Sequence, residues 1–172
     1  ALVTGASGGI GGAVAEALHA QGAVVTLSGT RMEALESVAG RLESRVHIAT
    51  ADLANPASVD GLVPEAERVM GGLDILVNNA GMQHRAPLEE FPSDKFDQIM
   101  ATNVTSVFAV SKAVVPAMIR RGSGKIINIC SVMSARARPS IAPYAASKAA
   151  VANLTRGMAV DWAKHGLNVN GI

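Results

Sequence analysis

The chain has 172 residues, is 49% hydrophobic and 17% charged, and carries a net charge of +1, so it can fill the core of one domain and is too apolar to be disordered. That charge balance excludes the basic footprint of a nucleic-acid binder and the bias that draws a protein to an anionic membrane surface. A single cysteine, Cys130, rules out an internal disulfide, and the four histidines show no zinc-ligand spacing, so no metal is expected.

In chain order, residues 1–3 begin as a strand and run into "LVTGASGGIGGAV", which sets Gly5, Gly8, Gly9, Gly11 and Gly12 at a strand-to-helix turn. Glycine there permits positive φ and close backbone approach, and the helix N-terminus offers free N–H donors to a pyrophosphate. The spacing is Gly5-x3-Gly9-x-Gly11, and Val14 stands where the G-x-G-x-x-G fingerprint would place its last glycine. A helix is expected over 10–21, a strand over 23–28, and a second helix over 31–43. Between the last two, "LSGTRME" places Ser28, Thr30 and Arg31 where an acidic residue usually reads the ribose 2′-hydroxyl of NAD. Hydroxyls and a guanidinium suit a 2′-phosphate instead, which favours NADP(H). A solvated Arg31 at a helix start is the alternative, with NAD as cofactor.

The third strand is expected over 45–50 and the third helix over 56–70, where Asn55-Pro56 reads as a cap followed by proline at the first helical position. Further strands are expected over 73–78, 125–130 and 167–172, and further helices over 100–121 and 144–165. The strands are nearly continuous in apolar residues, as in parallel strands covered on both faces. Repeated βα units imply an α/β fold with a doubly wound parallel sheet, a Rossmann domain. Residues 103–119 and 145–160 are small or apolar around most of their circumference. Two buried sides are therefore expected for each, one on the sheet and the other on a second subunit, in a homo-oligomer taken as a homotetramer, or else under segments outside residues 1–172. No apolar run of eighteen residues is free of charges or glycines, and no secretory signal is present, so neither a membrane span nor export is expected and the protein is placed in the cytoplasm. The first residue is Ala and the last six read as a strand, so the chain is expected to be a piece of a longer protein, truncated at both ends.

Tyr144, the only tyrosine, lies one helical turn before Lys148, so both point to one side of the helix. A free phenol has a pKa of about 10; a neighbouring ammonium favours the phenolate and makes the group a workable general acid and base. Ser131 is expected to close the fifth strand at its carboxyl edge, where it orients a carbonyl oxygen. "TGASGGIG", "NNAG" at 78–81, Asn103, Ser131 and "YAASK" together resemble the short-chain dehydrogenase/reductase family over nearly the whole chain. The resemblance implies that Ser131, Tyr144 and Lys148 are catalytic and that Tyr144 and Lys148 also meet the nicotinamide half of the cofactor. It further implies that Asn103 holds a water leading from Lys148 to solvent. Gly5, Ser7, Gly8, Gly9, Ile10 and Gly11 would cradle the phosphates, Asp52 and Leu53 the adenine, and Asn79, Ala80 and Gly81 the far side of the cofactor. Gly8 stands where many NADP-using members carry a basic residue, which keeps NAD as the alternative. Residues 1–172 would be the NAD(P)-binding domain, without the family's substrate loop and last strand.

The second half, from "NNAGMQHRAPLEEFP" onward, resembles gluconate 5-dehydrogenases, which interconvert D-gluconate and 5-dehydrogluconate. The first half is similar to 3-oxoacyl-acyl-carrier-protein reductases, and a non-catalytic dinucleotide-binding fragment is the third reading. Arg85, Arg136 and Arg138 lie in loops beside the strand ends and suit a carboxylate, or else are solvated loop charges. Met82 and Met133 floor a pocket or fill the core, and Cys130 is expected to be buried on its strand.

Overall fold

In a computed structural model that describes residues 1–172, six parallel strands run in the order β3-β2-β1-β4-β5-β6. They are β1 (Leu2–Thr4), β2 (Val25–Gly29), β3 (Val46–Thr50), β4 (Ile75–Asn78), β5 (Gly124–Asn128) and β6 (Leu167–Gly171). The order reverses at β1, whose Leu2 pairs with Thr26 on one side and Leu76 on the other. Diverging crossovers open a crevice at the carboxyl ends of β1 and β4, the usual ligand position in open α/β sheets. The doubly wound sheet expected from the sequence is present.

Successive residues of β1 point to opposite faces and anchor two cores. Val3 joins the smaller core with Ala15 of α1 (Gly9–Ala20), Leu27, and Leu35 and Val38 of α2 (Met32–Leu42). Leu2 joins the larger core with Leu62 and Val63 of α3 (Pro56–Met70), Val110 and Val114 of α5 (Ser106–Arg121), and Met158 of α6 (Ala142–Trp162). The α3 start is as read: Asn55 Oδ1 accepts the Ala57 N–H at 3.0 Å, Pro56 opens the helix, and Gly71 ends it at φ 74°.

Several expectations need correction. The helix placed over 100–121 begins earlier, at α4 (Ser93–Met100), and passes through a π-turn (Ala101–Thr105) into α5. The resulting 29-residue helical run is long and apolar enough by composition to cross a bilayer, as core helices also are, but Lys112 interrupts its apolar stretch and Val107, Val110, Val114, Val115 and Met118 spend their apolar surface in the protein's own packing. β5 ends at Asn128, so Ser131 and Cys130 lie beyond the strand. Cys130 is half-buried, with its N–H on Ile172 O at 2.7 Å. α6 starts two residues before Tyr144, because Pro143 suits a first turn that needs no N–H.

Candidate active site

The Gly-rich turn is built by close approach. Gly5 sits at φ +64°, and a β-carbon on it would come within 2.8 Å of Ala80 Cα. A β-carbon on Gly11 would overlap the Gly5 carbonyl and lie 2.6 Å from Asn79 Nδ2. Gly9 has open space on that side, and α1 has Gly8 at its N-cap position, with neither a side-chain cap nor an acidic residue in its first turn. The helix thus presents unpaired N–H groups and its positive end, unneutralised, to the crevice. Asn79 staples this turn to β4: its amide donates to Thr4 O at 2.9 Å and Gly5 O at 3.1 Å. Thr4 Oγ1 accepts the Asn79 and Ala80 N–H groups at 3.0 and 3.1 Å.

A cleft of about 580 Å³ follows the crevice, lined by every cofactor residue named above apart from Tyr144 and Lys148. At one end, beside β2, Ser28 is 1% exposed and its hydroxyl has no partner. A buried, unsatisfied hydroxyl in a cleft wall is costly unless a ligand completes it. Arg31 bridges the cleft edge, its guanidinium donating to Ser7 O at 3.3 Å. Among the lining residues Asp52 alone is acidic, and its carboxylate accepts the Ala54 N–H at 3.0 Å; Glu33 lies in the first turn of α2, outside the lining. Two hydroxyls and a guanidinium at the end of β2 fit a phosphorylated ribose, and the one acidic lining residue, Asp52, follows β3 rather than β2.

At the other end the wall passes Gly81 and Met82. A β-carbon on Gly81 would lie 3.6 Å from Lys148 Nζ and 3.5 Å from Asn103 Oδ1, so these groups converge on one point. Lys148 is 6% exposed and donates to Ile129 O at 2.7 Å. Burial lowers its pKa from the ordinary lysine value, with the nearby Cys130 acting weakly the other way. Its Nζ stands 5.9 Å from the centre of the half-buried Tyr144 ring, so the one-turn spacing does bring the pair together. Ser131 caps a 3-10 turn (Val132–Ser134): its Oγ accepts the Met133 N–H at 3.1 Å, leaving its own proton to donate elsewhere. Ser134 Oγ accepts the Ser131 N–H at 3.2 Å and donates to Lys148 O at 3.0 Å, tying the serine turn to α6.

Asn103 is buried in the π-turn with its side chain engaged: Oδ1 accepts the Met82 N–H at 2.8 Å, and Nδ2 donates to Met82 O at 2.9 Å and Ser147 Oγ at 3.0 Å. The sequence reading missed Thr4, Ser134 and Ser147, which carry no signal beyond a hydroxyl. It also missed Gly29, Ala51 and Thr102, which line the cleft. Arg85, Arg136 and Arg138 are exposed. The loops that carry them meet, since Ala86 N–H donates to Ser140 O at 3.2 Å. His84 packs edge-on against Phe91 at 5.5 Å, and Met82 lines the cleft.

Known proteins resemble the chain along nearly all of its length. The family model described as short chain dehydrogenase matches residues 1–172. A gluconate 5-dehydrogenase of Gluconobacter oxydans is 52% identical over 100% of the chain and 68% of its own length. A 5-keto-D-gluconate 5-reductase of Escherichia coli is 42% identical over 99% of the chain and 68% of its own length. A crystal structure of a gluconate 5-dehydrogenase from Burkholderia cenocepacia, in complex with NADP and tartrate, superposes with a TM-score of 0.92 at 46% identity. It is matched over 99% of this chain and 68% of its own.

Proposed function

Since the chain belongs to the short chain dehydrogenase family, we propose that it is an NADP(H)-dependent oxidoreductase interconverting a secondary alcohol and a ketone, with D-gluconate and 5-dehydro-D-gluconate as the substrate pair. The observation that carries this reading is the single cleft itself. One end holds an orphaned Ser28 hydroxyl beside Arg31, and the other ends at Gly81 against the Lys148 ammonium. The relative crystallised with NADP supports the choice of cofactor. In this reading residues 1–172 are the dinucleotide-binding domain. The α1 N-terminus and the Gly8–Gly9 backbone take the pyrophosphate, Ser28, Thr30 and Arg31 the 2′-phosphate, and Asp52 and Leu53 the adenine end.

When bound, the nicotinamide supplies or accepts the hydride. Every other step belongs to side chains. Ser131 Oγ–H donates to the substrate oxygen and holds it where negative charge grows during reduction. The Tyr144 phenol delivers its proton to that oxygen in reduction and removes it from the alcohol in oxidation. Lys148, its ammonium fixed on Ile129 O beside Gly81, stabilises the phenolate left behind and would also hold the cofactor ribose. Asn103 fixes the Met82 wall, and a water beside it would carry protons between Lys148 and solvent.

Arg85 and Arg138, on loops that meet at Ala86 and Ser140, take the carboxylate of a sugar acid in this reading. Phe96 and Phe108 remain exposed on α4 and α5, and Val160 on α6, which supports a homo-oligomer, a homotetramer, formed through helices 100–121 and 144–165 of a cytoplasmic enzyme. The test is NADPH oxidation by the protein offered 5-dehydrogluconate and an acetoacetyl thioester in parallel. Reduction of the sugar acid supports the proposal. Reduction of the thioester alone reassigns the protein as a 3-oxoacyl-acyl-carrier-protein reductase, and NADPH binding without reduction of either would reassign it as a binding module. Tyr144→Phe is expected to abolish turnover while NADPH affinity stays within about twofold; equal loss of both would remove Tyr144 from the chemistry.

A further inference from the structure

Building on the oxidoreductase reading, we propose that Ser147 is a positioning residue that couples the wall of the cofactor cleft to the helical turn carrying Tyr144. Ser147 is fully buried in α6 and has two partners. Its Oγ lies 2.7 Å from Tyr144 O and 3.0 Å from Asn103 Nδ2. An amide nitrogen only donates and a carbonyl only accepts, so the direction of both bonds is fixed. Ser147 accepts from Asn103 and gives its proton to the Tyr144 carbonyl. Asn103 in turn holds both the N–H and the C=O of Met82, a residue of the cleft wall. A continuous hydrogen-bonded train therefore runs from the loop after β4, through the π-turn, into the first turn of α6.

That first turn needs such a tether. Ile141 provides no side-chain cap, and Pro143 brings no N–H to the helix start. The ammonium partner is tethered separately, by Ile129 O at Nζ and by Ser134 at the Lys148 carbonyl. Loss of the Ser147 bridge therefore displaces the phenol relative to the ammonium rather than shifting both together. It also strands one N–H of the buried Asn103 amide, which loosens its grip on Met82.

The test compares Ser147→Ala with the parent protein in three measurements: turnover, NADPH dissociation constant, and the 13Cζ tyrosine line of Tyr144, assigned by its loss in Tyr144→Phe. The expected result is a turnover lower by tenfold or more, NADPH affinity within twofold of the parent, and a shifted or broadened Tyr144 line. Turnover within twofold of the parent, an unmoved Tyr144 line, or a parallel loss of NADPH affinity each overturns the proposal. Should Ser147→Ala not fold, Ser147→Cys keeps the shape, weakens both bonds, and is judged by the same criteria. If the parent itself reduces neither substrate, the oxidoreductase reading has failed, and the Tyr144 line alone then decides the positioning role.

Discussion

Gly11 and Gly9 are two residues apart in the same turn, yet their replacement by alanine should have opposite effects on stability. The Gly11 β-carbon would overlap the Gly5 carbonyl and stand 2.8 Å from its carbon, and that backbone is pinned by the Asn79 amide. Forcing such a contact apart costs about 1–3 kcal/mol. Both positions lie in α1, where alanine gains up to about 1 kcal/mol over glycine. The net for Gly11→Ala is a loss of about 1 kcal/mol, which lowers the melting temperature of a domain this size by about 2–4 °C. The Gly9 β-carbon meets nothing within 4 Å, so Gly9→Ala should keep or slightly raise that temperature. Its methyl would nevertheless stand in the phosphate cradle and weaken NADPH binding by tenfold or more. Thermal melts and NADPH fluorescence titrations of the two variants check both halves. A Gly11→Ala protein that melts at or above Gly9→Ala would refute the close-approach argument, and undiminished NADPH binding by Gly9→Ala would refute the cradle.

Lys148→Met should lose turnover without losing stability at neutral pH, because it removes a buried ammonium held by one carbonyl. The sign follows from the lowered pKa: between its folded value and 10.5 the unfolded chain binds more protons, so the parent gains stability as pH rises through that window and loses it below. Urea unfolding of both proteins at neutral and alkaline pH measures this, and a parent more stable than the variant at neutral pH contradicts it. Arg31→Ala should raise the KM for NADPH about tenfold and leave that for NADH nearly unchanged; equal effects on both would take Arg31 away from the 2′-phosphate. Asn128→Ala should destabilise the fold by about 2–3 kcal/mol, since Asn128 accepts from Asn78 and donates to Thr155 at 2.9 Å each in a buried row crossing from β4 to α6. A urea midpoint equal to the parent's would show that row to be dispensable.

The sheet was legible because its strands are short apolar runs that need no long-range information. The cleft was legible because glycine-rich turns and "NNAG" mark where backbone must approach backbone or ligand. α4 was missed because "SDKFDQIM" offers only Ile99 to the core, so its apolar pattern is too sparse to read. The π-turn was not legible either: its register is set by Asn103 reaching Met82 and Ser147, partners far away in sequence. Ser131 was read as a strand terminus because "KIINIC" stays apolar through Cys130, yet the β5 ladder stops at Asn128 opposite Gly171. Thr4, Ser134 and Ser147 look like ordinary hydroxyls, and their importance comes wholly from carbonyls and amides that other elements bring to them.

The reversal of strand order at β1 also bears on how the chain assembles. Leu2 meets Thr26 across one side of β1 but Leu76 across the other, a chain closure about three times longer. By loop-closure entropy the longer closure costs about 1 kcal/mol more. The seam beneath the crevice is thus the last join to zip as the chain folds, yet Leu2, Val3, Leu76 and Val77 are fully buried along it, so amide hydrogen exchange in the folded, empty protein should be slower there than at the edge strands β3 and β6. A dinucleotide laid over that seam would act as a clasp, slowing exchange on both sides at once.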